Sequence, residues 1–77
     1  MNKARRKAID EIIDQLGMLK DQLESITEEE QEAYDNLPES IQYAEQGEAM
    51  SDTISDLDSS VSDIESIIDT LQEIIDR

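Results

Sequence analysis

Ile9, Ile12, Leu16, Leu19, Leu23 and Ile26 advance along the first third of the chain in alternating steps of three and four. After a double step over Glu30 the row reaches Ala33. This is the a/d stripe of a heptad repeat, held for about four heptads. Met50, Ile54, Leu57, Val61, Ile64, Ile68, Leu71 and Ile75 keep the same alternation in the second half, and extending that row backwards meets Gly47 and Tyr43. An acidic chain that stays disordered has no reason to hold such a register. The pattern predicts two long amphipathic helices.

The break between them is written in residues 29–47, which hold the only proline, both tyrosines and one of the two glycines. Leu37 precedes Pro38 and is biased towards extended backbone. Pro38 suits a first helical turn and not an interior. Asp35 and Asn36 favour turns and caps, and Glu39 suits the positive end of a new helix. The expectation is one all-α domain over 1–77, with a first helix over about 3–35, an elbow at 36–38 and a second helix over about 39–76. So short a connection makes the helices antiparallel neighbours in a two-helix coiled-coil hairpin. In the register that fits the tightest elbow, Ile9 meets Ile64, Leu16 meets Leu57, Leu23 meets Met50 and Ile26 meets Gly47. A register two turns further along also matches a to d but needs a longer elbow.

More apolar surface is present than this seam requires. With Ile9 and Ile54 at a positions, Ile13 falls at e and Ile67 and Ile74 at g. A lone hairpin leaves these flanks wet, and so small a scaffold has little net stability from its own core. Both considerations predict dimerisation into a four-helix bundle, with a docked partner protein as the alternative.

Charge changes the picture further. The net charge is −15, from 21 acids against 6 basic residues. Lys3, Arg5, Arg6 and Lys7 stand together at the start, and from residue 8 to residue 76 the only cation is Lys20. The hairpin is expected to set Arg5, Arg6 and Lys7 beside Asp69, Glu73 and Asp76, where cross-helix ion pairs offset the poor placement of cations at a helix N-terminus. The acids form rows. Asp14, Asp21, Glu28 and Asp35 occupy f, with Asp10 and Glu24 at b and Glu11 and Glu32 at c. In the second helix Asp52 and Glu73 fall at f, Asp56 and Asp63 at c. Carboxylates one helical turn apart stand about 6 Å from each other, close to the phosphate spacing of a nucleic-acid strand, whose charge density governs its partners' affinity. Ordinary solvated helix faces instead mix Lys with Glu. The rows repel nucleic acid and anionic membranes and attract basic protein surfaces. Candidate partner contacts are Asp14, Asp21, Glu28, Glu32, Asp35, Asp52, Asp56 and Asp63, with Ile13, Ile67 and Ile74 as an apolar flank. Tyr34 and Tyr43 are expected at the elbow, either packed as a cap with the hydroxyl turned to water or Glu30, or as interface anchors.

Catalytic chemistry finds little to work with. Without Cys or His, disulfides, zinc fingers, thiol nucleophiles and imidazole acid–base catalysis are excluded. Glu29-x-x-Glu32 and Glu73-x-x-Asp76 have the spacing of bundle metal sites but sit off the seam and lack the accompanying histidine. The stretch from Asp56 to Ser60 lacks the glycine of a calcium loop, and no Gly-rich phosphate loop exists. No enzyme activity, cofactor or metal is expected. No run of about 20 apolar residues exists to span a membrane, and acids follow the basic start where a signal peptide would be apolar. The expected setting is the cytoplasm.

The segment Glu29-Glu30-Gln31-Glu32-Ala33-Tyr34-Asp35-Asn36-Leu37-Pro38-Glu39-Ser40 resembles one in short acidic helical proteins encoded by bacterial phages, prophages and mobile elements. The resemblance implies a small cytoplasmic factor made by a mobile element, a setting where acidic inhibitors imitate DNA and block host defence proteins. Three readings follow. The first is a non-enzymatic inhibitor whose acids occupy the basic nucleic-acid-binding surface of a host protein. The second is a coiled-coil assembly or adaptor module that uses the apolar flank, and the third is an acidic chaperone for basic clients that folds on binding.

Overall fold

In the computed structural model, which describes residues 1–77, Asn2 starts the first helix. Its Oδ1 accepts the backbone N–H of Arg5 at 2.9 Å, so one of the orphan donors at the helix start is satisfied by an amide side chain. Helix α1 then runs Lys3–Asp35 without interruption. It stops at Asn36, whose N–H reaches the Glu32 carbonyl at 3.1 Å, while the Leu37 N–H turns back to the Tyr34 carbonyl at 3.1 Å. Pro38 opens a single turn, α2 (Glu39–Gln42), and accepts from Ile41 and Gln42 at 2.8 and 3.0 Å. Ala44 is extended (φ −84°, ψ 171°), and α3 follows from Glu45 to Asp76. Glu45 and Glu48 lie in the first turn of α3, where carboxylates suit the helix dipole.

The long helices pack side by side as a hairpin 58 × 15 × 12 Å in extent. Its radius of gyration, 17.4 Å, well exceeds the roughly 12 Å of a compact domain of this length. Burial is correspondingly thin: Ile54, still 7% exposed, is the one buried aliphatic residue, and no side chain is fully removed from solvent.

The expected elbow at 36–38 is too short. The connection runs from Asn36 to Ala44 and contains α2, so the second helix does not continue unbroken from residue 39. Gly47 gives the reason. A Cβ there would collide with the backbone carbonyls of Ile41 and Gln42, so the absent side chain lets α2 fold against the start of α3. The Gln42 side-chain amide ties this turn to the end of α1, donating to the Tyr34 carbonyl at 3.1 Å. The longer elbow shifts the register. Ile13 and Gly17 share a groove with Ile68, and Thr27 shares one with Val61. Leu16 therefore lies near Ile68, about three turns beyond the expected Leu57.

Helix α3 presents its predicted row: Met50, Ile54, Leu57, Val61, Ile64, Ile68, Leu71 and Ile75 are all at least half-buried. Helix α1 does not. Ile9, Leu16 and Leu23 enter the seam, but Ile12, Leu19 and Ile26 remain 47, 54 and 53% exposed. Ile13, Lys20, Thr27 and Tyr34 take their place. The helix has turned by roughly 50°, half the step between successive residues. Apolar residues of α1 occupy three adjacent rows, d, a and e, and one neighbouring helix covers only two. The polar side chains that enter do so at low cost. The Thr27 hydroxyl donates to the Leu23 carbonyl at 2.8 Å, and Lys20 lays its stem along the seam while its ammonium reaches Glu24 Oε1 at 3.9 Å.

That Lys20–Glu24 contact is the only ion pair in the hairpin. The expected pairs between Arg5, Arg6 or Lys7 and Asp69, Glu73 or Asp76 do not form. The register and the rotation of α1 leave the Arg6 Nε buried with no hydrogen-bond partner.

Candidate protein-binding surfaces

The rotation of α1 gives the hairpin two unlike sides. On one, rows b, e and f of α1 face rows b and e of α3 across a string of open grooves. Near the termini, Asp14 and Asp21 flank a groove with Ile13, Gly17 and Ile68. Halfway along, Glu24, Glu28, Asp58 and Glu65 surround one of about 420 Å³ floored by Thr27 and Val61. At the elbow, Glu48 and Asp52 join Tyr34, Gln42 and Tyr43 around a further 260 Å³ or so. Carboxylates thus line this side for most of its length, with Lys20 as the one cation among them.

The eight predicted acids are all exposed, but they do not gather in one place. Asp14, Asp21, Glu28 and Asp52 line the grooves. Glu32 lies at c on the back of α1, and Asp35 is the last residue of that helix, where its carboxylate accepts from the Gln31 amide at 2.9 Å. Asp56 and Asp63 lie at c of α3, turned away from the grooves. Sequence reading missed Glu48, Asp58 and Glu65 as groove residues. They become visible only once the rotation of α1 shows which flank of α3 it faces. No group of three acids converges closely enough to hold a metal ion.

The elbow separates its tyrosines. Tyr34 is half-buried at the end of α1, whereas Tyr43 is 75% exposed and caps nothing. The three flank isoleucines are separated too. Ile13 is half-buried in the groove beside Ile68, on the acidic side. Ile67, 51% exposed, and Ile74, half-buried, lie on the other side. No helix is long and apolar enough to cross a membrane. Comparison with protein-family models, with curated proteins and with solved structures gave no match.

Proposed function

We propose that the protein is a non-enzymatic binding protein whose acidic side occupies the basic, nucleic-acid-binding surface of another protein, in the manner of a DNA mimic. The observation that carries this reading is the chain of carboxylates bordering the grooves: Asp14, Asp21, Glu24, Glu28, Asp58 and Glu65. On a helical scaffold such acids hold fixed spacings, as phosphates do on a duplex. Net charge of −15 steers the protein towards cationic clefts and away from nucleic acid itself. The resemblance of residues 29–40 to acidic proteins of phages and mobile elements supports a cytoplasmic anti-defence role. Glu32, Asp35, Asp56 and Asp63 form the outer boundary of the charged surface, and Tyr34 and Tyr43 supply aromatic contacts at its elbow end.

A second reading has its own observation. The exposed apolar residues on the opposite side, Ile67 among them, support pairing of hairpins into a four-helix bundle, and with it an assembly or adaptor role. Capture from bacterial lysate with washes of rising salt tests the first reading. A basic partner is released as salt rises. The double change Asp21→Lys and Glu28→Lys weakens its binding by about tenfold or more with the helix content unchanged. Binding that resists both salt and charge reversal excludes the acidic side as the contact.

A further inference from the structure

The side opposite the grooves is built from rows d and g of both helices, and it is almost free of acids. Row d of α1 carries Ile12, Leu19, Ile26 and Ala33, all exposed. The neighbouring row g has Gln15, Gln22 and Glu29, and row g of α3 has Thr53, Ser60, Ile67 and Ile74. Of the 21 acids in the chain, Glu29 alone stands in these rows. The apolar arc of each helix widens near the termini, where Ile13 adds to row e of α1 and Ile67 and Ile74 add to row g of α3; there d–a–e and g–d–a each cover about 100°. That is the width of a helix facing a multi-helix core, where a two-stranded seam needs only two rows.

From these placements we infer that this face is the contact with a second copy of the chain, in a twofold, antiparallel arrangement that stacks α1 on its counterpart. This rests on the bundle reading above and adds the face and the orientation. Three observations select a second copy as the occupant. An isologous contact must tolerate its own charge, and this is the one long face where two chains of net charge −15 can meet without opposing acid rows. The whole hairpin, 58 by 15 Å in outline, gives such a face room for on the order of 800–900 Å², close to the area each partner contributes to a stable interface. The charges along the molecule are also self-complementary when reversed. Lys3, Arg5, Arg6 and Lys7 lie at the terminal end without an ion-pair partner, and no cation occurs from Asp21 to Asp76. Reversal brings Arg5, at the start of row d, towards Glu29 of the second copy. An ends-together stack would instead bring the two acidic elbow halves together.

Sedimentation equilibrium and cross-linking test this without any other protein. The expected mass is twice the chain's 8.7 kDa at micromolar concentration. Leu19→Glu should weaken the dimer on the order of 100-fold or more, since two leucines leave the interface. Met18→Glu, at an equally exposed position outside the face, should leave the mass unchanged. Because Leu19 is exposed in the single hairpin, helix loss accompanying dissociation of Leu19→Glu still locates the interface. The chain has no cysteine, so orientation is read by mixing Gln15→Cys and Gln22→Cys chains under mild oxidation; mixed disulfide dimers are expected. A folded wild-type monomer overturns the bundle reading itself. A dimer indifferent to Leu19→Glu, or equally sensitive to Met18→Glu, overturns the face alone. Coupling of Gln15→Cys to Ile67→Cys in preference to Gln22→Cys overturns the orientation.

Discussion

The two glycines make opposite demands although both lie inside long helices. Nothing stands within 4 Å of a Cβ built at Gly17, so Gly17→Ala gains helix propensity alone. It should raise the unfolding free energy by up to about 1 kcal/mol. At Gly47 the same change meets the carbonyls of Ile41 and Gln42, backbone that cannot swing aside. Overpacking of this kind costs about 1–3 kcal/mol, enough to outweigh the propensity gain, and Gly47→Ala should be destabilising. Denaturant titration of both variants at one protein concentration reads the two signs. Sequence spacing places both glycines in helices but does not distinguish them, since what separates them is the approach of α2. The exposure of the acids was legible for the opposite reason: a carboxylate with no cation in reach stays in water wherever the helix turns.

Among the elements, α3 was readable from its spacing because its a and d rows are both aliphatic and its flanking e row is polar. Helix α1 has apolar residues in rows d, a and e, but its spacing favours the d–a seam, because row e mixes Ile13 and Tyr34 with Arg6, Lys20 and Thr27. The structure uses a and e instead, with the end of α1 tied to the elbow through the Tyr34 carbonyl, and that tertiary contact is absent from any local pattern. The break at Tyr43–Ala44 was hidden too, because it contains neither proline nor glycine and its cause sits downstream at Gly47. Two variants probe this level. Gln42→Ala removes the amide that bridges α2 to the Tyr34 carbonyl and should cost about 1 kcal/mol. Ile54→Ala, at the most buried aliphatic, should cost about 2–5 kcal/mol, a large share of the stability of so small a domain. Thermal unfolding followed by circular dichroism ranks them.

At the scale of the whole molecule, the hairpin sorts its chemistry by side: carboxylates around the grooves, neutral and aliphatic residues opposite. That division follows from the register, which the sequence left open between elbows of different length, and from the rotation of α1. Both depend on the chain doubling back so that Ser25 of α1 stands across from Ser59 of α3. Spin labels at these two exposed serines, in chains diluted with unlabelled protein, measure the separation directly. Packed neighbours with axes 8–10 Å apart place the labels within about 25 Å of each other. A single continuous rod would separate them by about 50 Å, and that distance would contradict the hairpin and the two-sided surface built on it.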